Sequence, residues 1–383
     1  MSSLDAFASA KLSELEIAHQ KRTLVDTARE DGLWVTRGGR RLLSFSCNDY
    51  LNLSHHPKVK AAAIAAIERH GAGAGASRLI TGNHPLFAEL ETRLAQLKQT
   101  QAACVFGSGY LANTGIIPTL IGPRDLLLVD ELAHACLWAG AQLSRATVHI
   151  FRHNDCNHAG ELLGQHRGRH ERALIVTDGV FSMDGDLAPL DALSALARRH
   201  DAWLMSDDAH GLGVLANGRG SVFVGGAKAP VDLQMGTLSK ALGSYGGYLC
   251  ASRPVIDLIK TRARTLVYST GLPPANAAAA IAALDVIESD AELVARPLAK
   301  AQAFTRACDL PIAHSPIVPL VVGEERAALD ASHVLEDEGF LVMAIRPPTV
   351  PAGTARLRFA FSAGHPDGEI ARLAAIVRER ILA

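Results

Sequence analysis

ALIVTDGVFSMDGDLAPLDALSALARRHDAWLMSDDAHG, residues 173–211, is the stretch that decides the fold. It opens on an apolar run, Ala173–Thr177, and breaks at Asp178-Gly-Val-Phe-Ser182-Met-Asp184-Gly. A helical stretch over 189–200 follows. A second apolar run, Trp203–Ser206, ends in Asp207-Asp208-Ala-His210-Gly211. Short continuous apolar strands are those buried on both faces, and a helix between two of them is the connection of a parallel pair. The unit repeats upstream. Helix 86–98 precedes a strand at Ala103–Phe106, helix 110–120 precedes Leu126–Val129, helix 134–143 precedes Thr147–Phe151, and helix 158–165 precedes Ala173. Downstream, strands are expected at Leu233–Met235 and Gly247–Ala251. The expectation is an α/β domain with a mainly parallel seven-stranded sheet covered by helices.

The flanks read differently. Residues 4–27 predict a helix of mixed polarity. Two short strands follow, Trp34–Thr36 and Leu42–Ser46, split by Gly38-Gly39. Pro57 starts a helix through Arg69, which ends in the run Gly71-Ala-Gly-Ala-Gly-Ala. Beyond residue 290 come helix 291–308, strand Val318–Val322, helix 326–338, strands Leu341–Ala344 and Leu357–Phe361, and a last helix from 367. The expected division is an N-terminal segment (1–55), a large domain (56–290) and a small α+β domain (291–383).

Composition narrows the function classes. The chain has 383 residues, 48% hydrophobic and 20% charged, which excludes general disorder. With 38 basic and 39 acidic residues, nothing favours a nucleic acid or an anionic membrane as partner. The six cysteines are scattered without a CxxC, so neither a disulfide framework nor a zinc knuckle is expected. The N-terminus lacks the apolar core of a signal peptide. The longest charge-free stretch, Gln99 to Pro123, carries too many polar and helix-breaking residues to span a bilayer. A cytoplasmic location is the expectation.

Chemistry-bearing residues cluster after strands, where open α/β sheets bind ligands. Thr237-Leu-Ser-Lys240-Ala-Leu-Gly243 follows an apolar strand, and a lysine held out of bulk water is an amine nucleophile or Schiff-base former. Asp207-Asp208-Ala-His210 places a carboxylate where it can hold a heterocyclic nitrogen protonated. Read as a metal set, the same residues find no matching ligands, and no metal is expected. Gly107-Ser108-Gly109-Tyr110 lies between strand and helix, where free backbone N–H groups bind phosphate. His134, after Asp130-Glu-Leu-Ala, can stack on a flat ring. Taken singly, each of these is equally an ordinary turn, cap or surface residue.

In this order on alternating strands, the motifs resemble the fold-type I pyridoxal-phosphate enzymes. Ser46-Cys-Asn48-Asp-Tyr50-Leu-Asn-Leu, Gly75-Ala-Ser-Arg78 with Thr81-Gly-Asn83, Asp207-Asp-Ala-His210-Gly and Thr237-Leu-Ser-Lys240-Ala resemble the α-oxoamine synthases. That family joins an amino acid to an acyl thioester with loss of carbon dioxide. The segment Ala344-Ile-Arg346-Pro-Pro-Thr349-Val-Pro-Ala-Gly-Thr-Ala-Arg356-Leu-Arg358 is most similar to one branch. The substrates of that branch are L-alanine and pimeloyl-CoA or pimeloyl-acyl carrier protein. The resemblance covers nearly the whole chain. Cys47 departs from a usual Ser, and Ala133 stands where Ser is common.

The resemblance implies pyridoxal 5'-phosphate as cofactor, attached to Lys240, with Asp207 on the pyridine nitrogen and Asp208 the alternative. It implies His210 and Ser182 at the ring's phenolic oxygen and His134 stacked on the ring. Ser108, Gly109, Tyr110 and Thr237 hold the phosphate, and Ser269 or Thr270 reaches the phosphate of a neighbouring subunit in a homodimer. Arg358 takes the amino-acid carboxylate, with Asn48 assisting, and Arg22 and Thr349 contact the acyl substrate. The competing readings are a relative using glycine with a short acyl donor or serine with a long one, an aminotransferase or lyase of the same fold, and a non-catalytic cofactor-binding protein. A dinucleotide-binding fingerprint at Gly71 fails, because the run follows a helix rather than a strand.

Overall fold

The apolar runs form one sheet. In this computed structural model, which describes residues 1–17 and 20–382, its strands are Ala102–Phe106 (β1), Leu126–Asp130 (β2), Thr147–Phe151 (β3), Ala173–Asp178 (β4), Trp203–Asp207 (β5), Leu233–Thr237 (β6) and Gly247–Ala251 (β7). Their spatial order is β1-β7-β6-β5-β4-β2-β3. β2, β3, β4, β5 and β6 pair in parallel, while β7 runs antiparallel to both β6 and β1. Every residue of β1, β2, β4, β6 and β7 is buried. On one face Leu127, Val129, Leu174, Met205 and Leu233 pack with Ile116, Ile117 and Leu137. On the other, Leu126, Leu128, Ile175 and Leu204 pack with Leu163, Leu193 and Phe223. Each buried aliphatic side chain contributes on the order of 1.5–3 kcal/mol, so double-sided burial dominates the sheet's stability.

The chain divides into two compact units: Met1–Ser46 with Leu320–Phe359, and Cys47–Pro319 with Ala360–Ala383. The seven-stranded sheet belongs to the second. In the first, strands Thr27–Asp31, Trp34–Arg37, Arg40–Ser44 and Phe340–Leu341 form a four-stranded sheet. Met343–Ile345 pairs antiparallel with Arg356–Arg358.

Two expectations need correction. The helix expected over 4–27 spans Ser3–Ile17, and the chain is a strand from Thr27; residues 18 and 19 lie outside the described residues. That helix buries no residue, so no apolar stripe marked its end. The strand expected at Leu341–Ala344 is two strands: Phe340–Leu341 pairs with Leu43 and Ser44, and Met343–Ile345 pairs in a different sheet.

Candidate active site

Six of the seven strands end at one edge of the second unit's sheet, and five of them, all but β3, launch a loop with a chemical group expected from the sequence. β1 runs into Ser108, whose Oγ caps the helix Gly109–Leu120 by accepting from Leu111 N–H at 3.1 Å. A helix's first N–H groups have no partner within the helix, so those of Gly109 and Tyr110 face outward with the positive end of its dipole. The antiparallel β7 runs close behind this turn. A Cβ on Gly247 would sit 2.5 Å from Ser108 O and 2.7 Å from Gly109 N. Thr237, at the end of β6, donates its hydroxyl to Gly246 O at 2.7 Å and lies 2.6 Å from Ser239 Oγ. Together these groups form an anion cradle.

Asp207 ends β5 and is buried. Its Oδ2 accepts from Asn113 Nδ2 at 2.7 Å and its Oδ1 from Ala209 N–H at 3.0 Å. Asp208 is equally buried but turned elsewhere: its Oδ2 binds Lys98 Nζ at 2.6 Å and its Oδ1 accepts from Ser221 N–H at 2.9 Å. The two adjacent acids therefore have different partners.

Lys240 Nζ lies 2.6 Å from His210 Nε2, and His210 Nδ1 lies 2.6 Å from the Tyr50 hydroxyl. Tyr50 donates to Asn48 Oδ1 at 3.3 Å. With that proton spent, the hydroxyl accepts from Nδ1–H. Nε2 is then the lone-pair nitrogen that takes a hydrogen from Lys240.

His134 follows β2. Its N–H donates to Asp178 Oδ2 at 2.8 Å, and its Nδ1 lies 2.8 Å from Cys136 Sγ. The residue is exposed, yet the protein around the ring desolvates the charged form. With Lys240 adding repulsion against the attraction of Asp207, this holds its pKa below 6.5. Burial, reinforced by Asp207, pushes the Asp178 carboxyl well above its usual range. Burial, and again Asp207, carries the Cys136 thiol to about 12. Ser182 lies in the loop after β4, and Thr270 makes a β-bridge with Ser77.

Asn48, Ser108, Gly109, Tyr110, His134, Ser182, Asp207, His210, Thr237, Lys240 and Thr270 all belong to the second unit. Arg22, Thr349 and Arg358 belong to the first, where Arg22 Nη2 donates to Thr349 Oγ1 at 3.1 Å and Arg358 is buried opposite Met343. Asn113, the hydrogen-bond partner of Asp207, was not singled out in the sequence. Its partner stands 94 positions along the chain, so no local pattern marked it. His153 was also missed, although it too follows a strand end.

An amine beside an imidazole, a buried carboxylate, an open neutral imidazole and an anion cradle made of backbone N–H groups fit a phosphorylated pyridine aldehyde. The close approach that only a glycine at 247 allows is part of that fit.

The family model for aminotransferase class I and II matches residues 40–377. The chain is 70% identical over 345 residues to an 8-amino-7-oxononanoate synthase of Methylocella silvestris, covering 90% of this chain and 98% of the relative. It is 64% identical to the 8-amino-7-oxononanoate synthase of Beijerinckia indica over 98% of both chains. Among solved structures, serine palmitoyltransferase of S. paucimobilis with a bound PLP–myriocin aldimine superposes with TM-score 0.92 at 28% identity, covering 99% of this chain and 98% of that one. An 8-amino-7-oxononanoate synthase from Francisella tularensis superposes with TM-score 0.76 at 26% identity, covering 89% of this chain and 98% of that one. The chain belongs to the aminotransferase class I and II family and, within it, to the 8-amino-7-oxononanoate synthases.

Proposed function

We propose that this chain joins L-alanine to a pimeloyl thioester, releasing carbon dioxide and free thiol and giving 8-amino-7-oxononanoate for biotin biosynthesis. It is a pyridoxal-phosphate-dependent acyltransferase. The observation that carries the substrate choice is the 64% identity over 98% of both chains to a synthase of that name. When bound, pyridoxal phosphate supplies an electron sink for the pair left at Cα by proton removal and by loss of the carboxylate.

The chain's own residues do the rest. Lys240 would hold the cofactor, and its amine, 2.6 Å from His210 Nε2, would take the Cα proton of alanine and return one. Asp207, oriented by Asn113, holds the proton on the ring nitrogen. Ser182 would hydrogen-bond the phenolic oxygen, and His210 would do so through Nε2 in the other tautomer, with the hydrogen on Nε2 and Tyr50 donating to Nδ1. His134, neutral at pH 7 by its lowered pKa, would face the ring without adding a charge beside Lys240. Ser108, Gly109, Tyr110 and Thr237 hold the phosphate. Arg358 offers a bidentate guanidinium for the alanine carboxylate, and Asn48 a side-chain amide for the same substrate. Arg22 and Thr349, hydrogen-bonded to each other, contact the acyl chain.

The chain works as a homodimer in which Thr270 reaches the partner subunit's phosphate site. The exposure of Tyr268, at 75%, supports that face as the interface. A cytoplasmic location is part of this reading; among the described residues no helix is long and apolar enough to cross a membrane.

The test is thiol release by the cofactor-loaded chain. L-alanine, glycine and L-serine are supplied in parallel, against pimeloyl-, acetyl-, succinyl- and palmitoyl-CoA and pimeloyl-acyl carrier protein. Release confined to L-alanine with a pimeloyl donor is expected, and the preferred carrier separates the two donors. The higher superposition with serine palmitoyltransferase favours serine with a long-chain donor as the second reading. Release with L-serine and palmitoyl-CoA alone would replace the first.

A further inference from the structure

The ends of β2 and β4 launch the His134-bearing turn and the Ser182-bearing loop, and one imidazole joins them. His153, two residues beyond β3, places Nδ1 3.1 Å from Asp130 Oδ1 at the end of β2. Its Nε2 lies 2.7 Å from Asp186 Oδ2 in the loop after β4. Asn154 repeats the bridge: its N–H donates to Asp130 Oδ2 at 2.9 Å and its Nδ2 to Asp186 Oδ2 at 2.8 Å. The Phe181 ring meets the imidazole edge-on at 4.3 Å.

Each anchor is built into a loop. Asp130 Oδ1 also accepts Leu132 N–H at 2.9 Å, and Asp130 O accepts Ala133 N–H at 3.0 Å, immediately before His134. Asp186 O accepts Phe181 N–H at 3.0 Å, immediately before Ser182. A carboxylate oxygen at both ring nitrogens is satisfied on both sides only when both carry hydrogen, which is the imidazolium form.

We propose that His153 is a positioning residue of this site, an imidazolium clamp that sets the His134-bearing turn against the Ser182-bearing loop. The proposal rests on the cofactor reading given above. The charged groups around the ring are Asp130 from β2, Glu131 beside it (its Oε1 accepts His153 N–H at 2.7 Å) and Asp186 from the loop. On the ring's own segment, Arg152 and Asp155 pair with each other. Burial opposes the charge, but the hydrogen bonds to Asp130 and Asp186 outweigh it and raise the His153 pKa to about 10. The clamp therefore stays closed through neutral pH and opens as pH rises through about 10.

The test follows pyridoxal-phosphate affinity, by absorbance of the bound cofactor, from neutral pH to beyond the His153 titration. The parent chain, His153→Gln and Asp186→Asn are compared. Near neutral pH, His153→Gln is expected to bind roughly tenfold more weakly. Asp186→Asn leaves His153 one of its two direct carboxylate partners, so its alkaline loss of affinity should come about one pH unit earlier than the parent's. A purely structural role would not move that limb. Parental affinity in His153→Gln, or an unmoved limb in Asp186→Asn, overturns the proposal. If His153→Gln does not fold, the Asp186→Asn limb decides alone. A parent chain that binds no cofactor fails the reading of the site itself, and the clamp with it.

Discussion

Lys98 has no exposed surface, and its ammonium contacts Asp208 Oδ2 at 2.6 Å and Arg219 O at 2.7 Å. A buried ion pair contributes little net stability, but breaking one leaves an uncompensated charge, at a cost of about 3–5 kcal/mol. Lys98→Met should therefore destabilise the fold by about that amount in chemical denaturation, and Lys98→Met with Asp208→Asn should recover most of it. A single variant as stable as the parent would show that the pair does not carry its charge. One residue earlier the expectation differs in kind. Asp207→Asn keeps the shape but cannot hold the ring proton, so it should retain the fold and lose most turnover. Lys240→Ala should lose turnover and the absorbance of covalently attached cofactor together. Parental thiol release from either variant would move its role elsewhere. Adjacent identical acids thus answer to different assays, and the sequence left Asp208 as an alternative because side-chain partners far along the chain are set only by the fold.

At the scale of elements, the anion cradle proposed for the phosphate depends on β7 approaching the Ser108-Gly109 turn without a side chain. Gly247→Ala puts a methyl within 2.7 Å of three backbone atoms that cannot rotate away. Overpacking of this kind costs about 1–3 kcal/mol. Here it should fall on the cradle, weakening cofactor affinity by more than the melting temperature reports. Unchanged affinity with a lowered melting temperature would place the strain elsewhere. The strands were legible because double-sided burial writes them as unbroken apolar runs, as at Leu126–Val129 and Ala173–Thr177. The helix Pro274–Ser289 was not. Its Ala-rich sequence is buried around much of its circumference, so it has no contrast between faces for a period to show. Thr27–Asp31 is a charged strand at a sheet edge, paired only with Trp34–Arg37, and lacks the alternation that marks a half-buried strand. In the site, residues that follow strand ends were visible as motifs. Asn113 and His153 act through pairings that no local pattern contains.

At the scale of the whole molecule, the histidines set how stability responds to pH, and their shifts have opposite signs. Desolvation lowers the pKa of His84, with His70 and Arg69 adding, and of His149, with His166 and His170 adding. His134 is lowered as well. Below about 6.5 the unfolded chain binds protons at these sites that the folded chain refuses, so each removes stability as pH falls. Asp178, raised by burial, works the other way: it is protonated in the folded chain first, and acidification through its pKa relieves a buried charge. His153 is raised to about 10, so its contribution is complete below about 6.5 and is lost as pH rises to about 10. The melting temperature of the cofactor-free chain should therefore peak near neutral pH and decline on both sides. His153→Gln should lessen the decline between about 6.5 and 10 while leaving the acid side in place. It should also leave the loss above about 9 that the buried thiols Cys104, Cys136 and Cys250, raised to about 12, contribute. His149→Gln should flatten part of the acid side alone. Scanning calorimetry across this range separates the two. An alkaline slope in His153→Gln equal to the parent's would mean that the imidazolium is not what the folded chain holds between those values. The bridge from Asp130 to Asp186 would then have to be carried by Asn154.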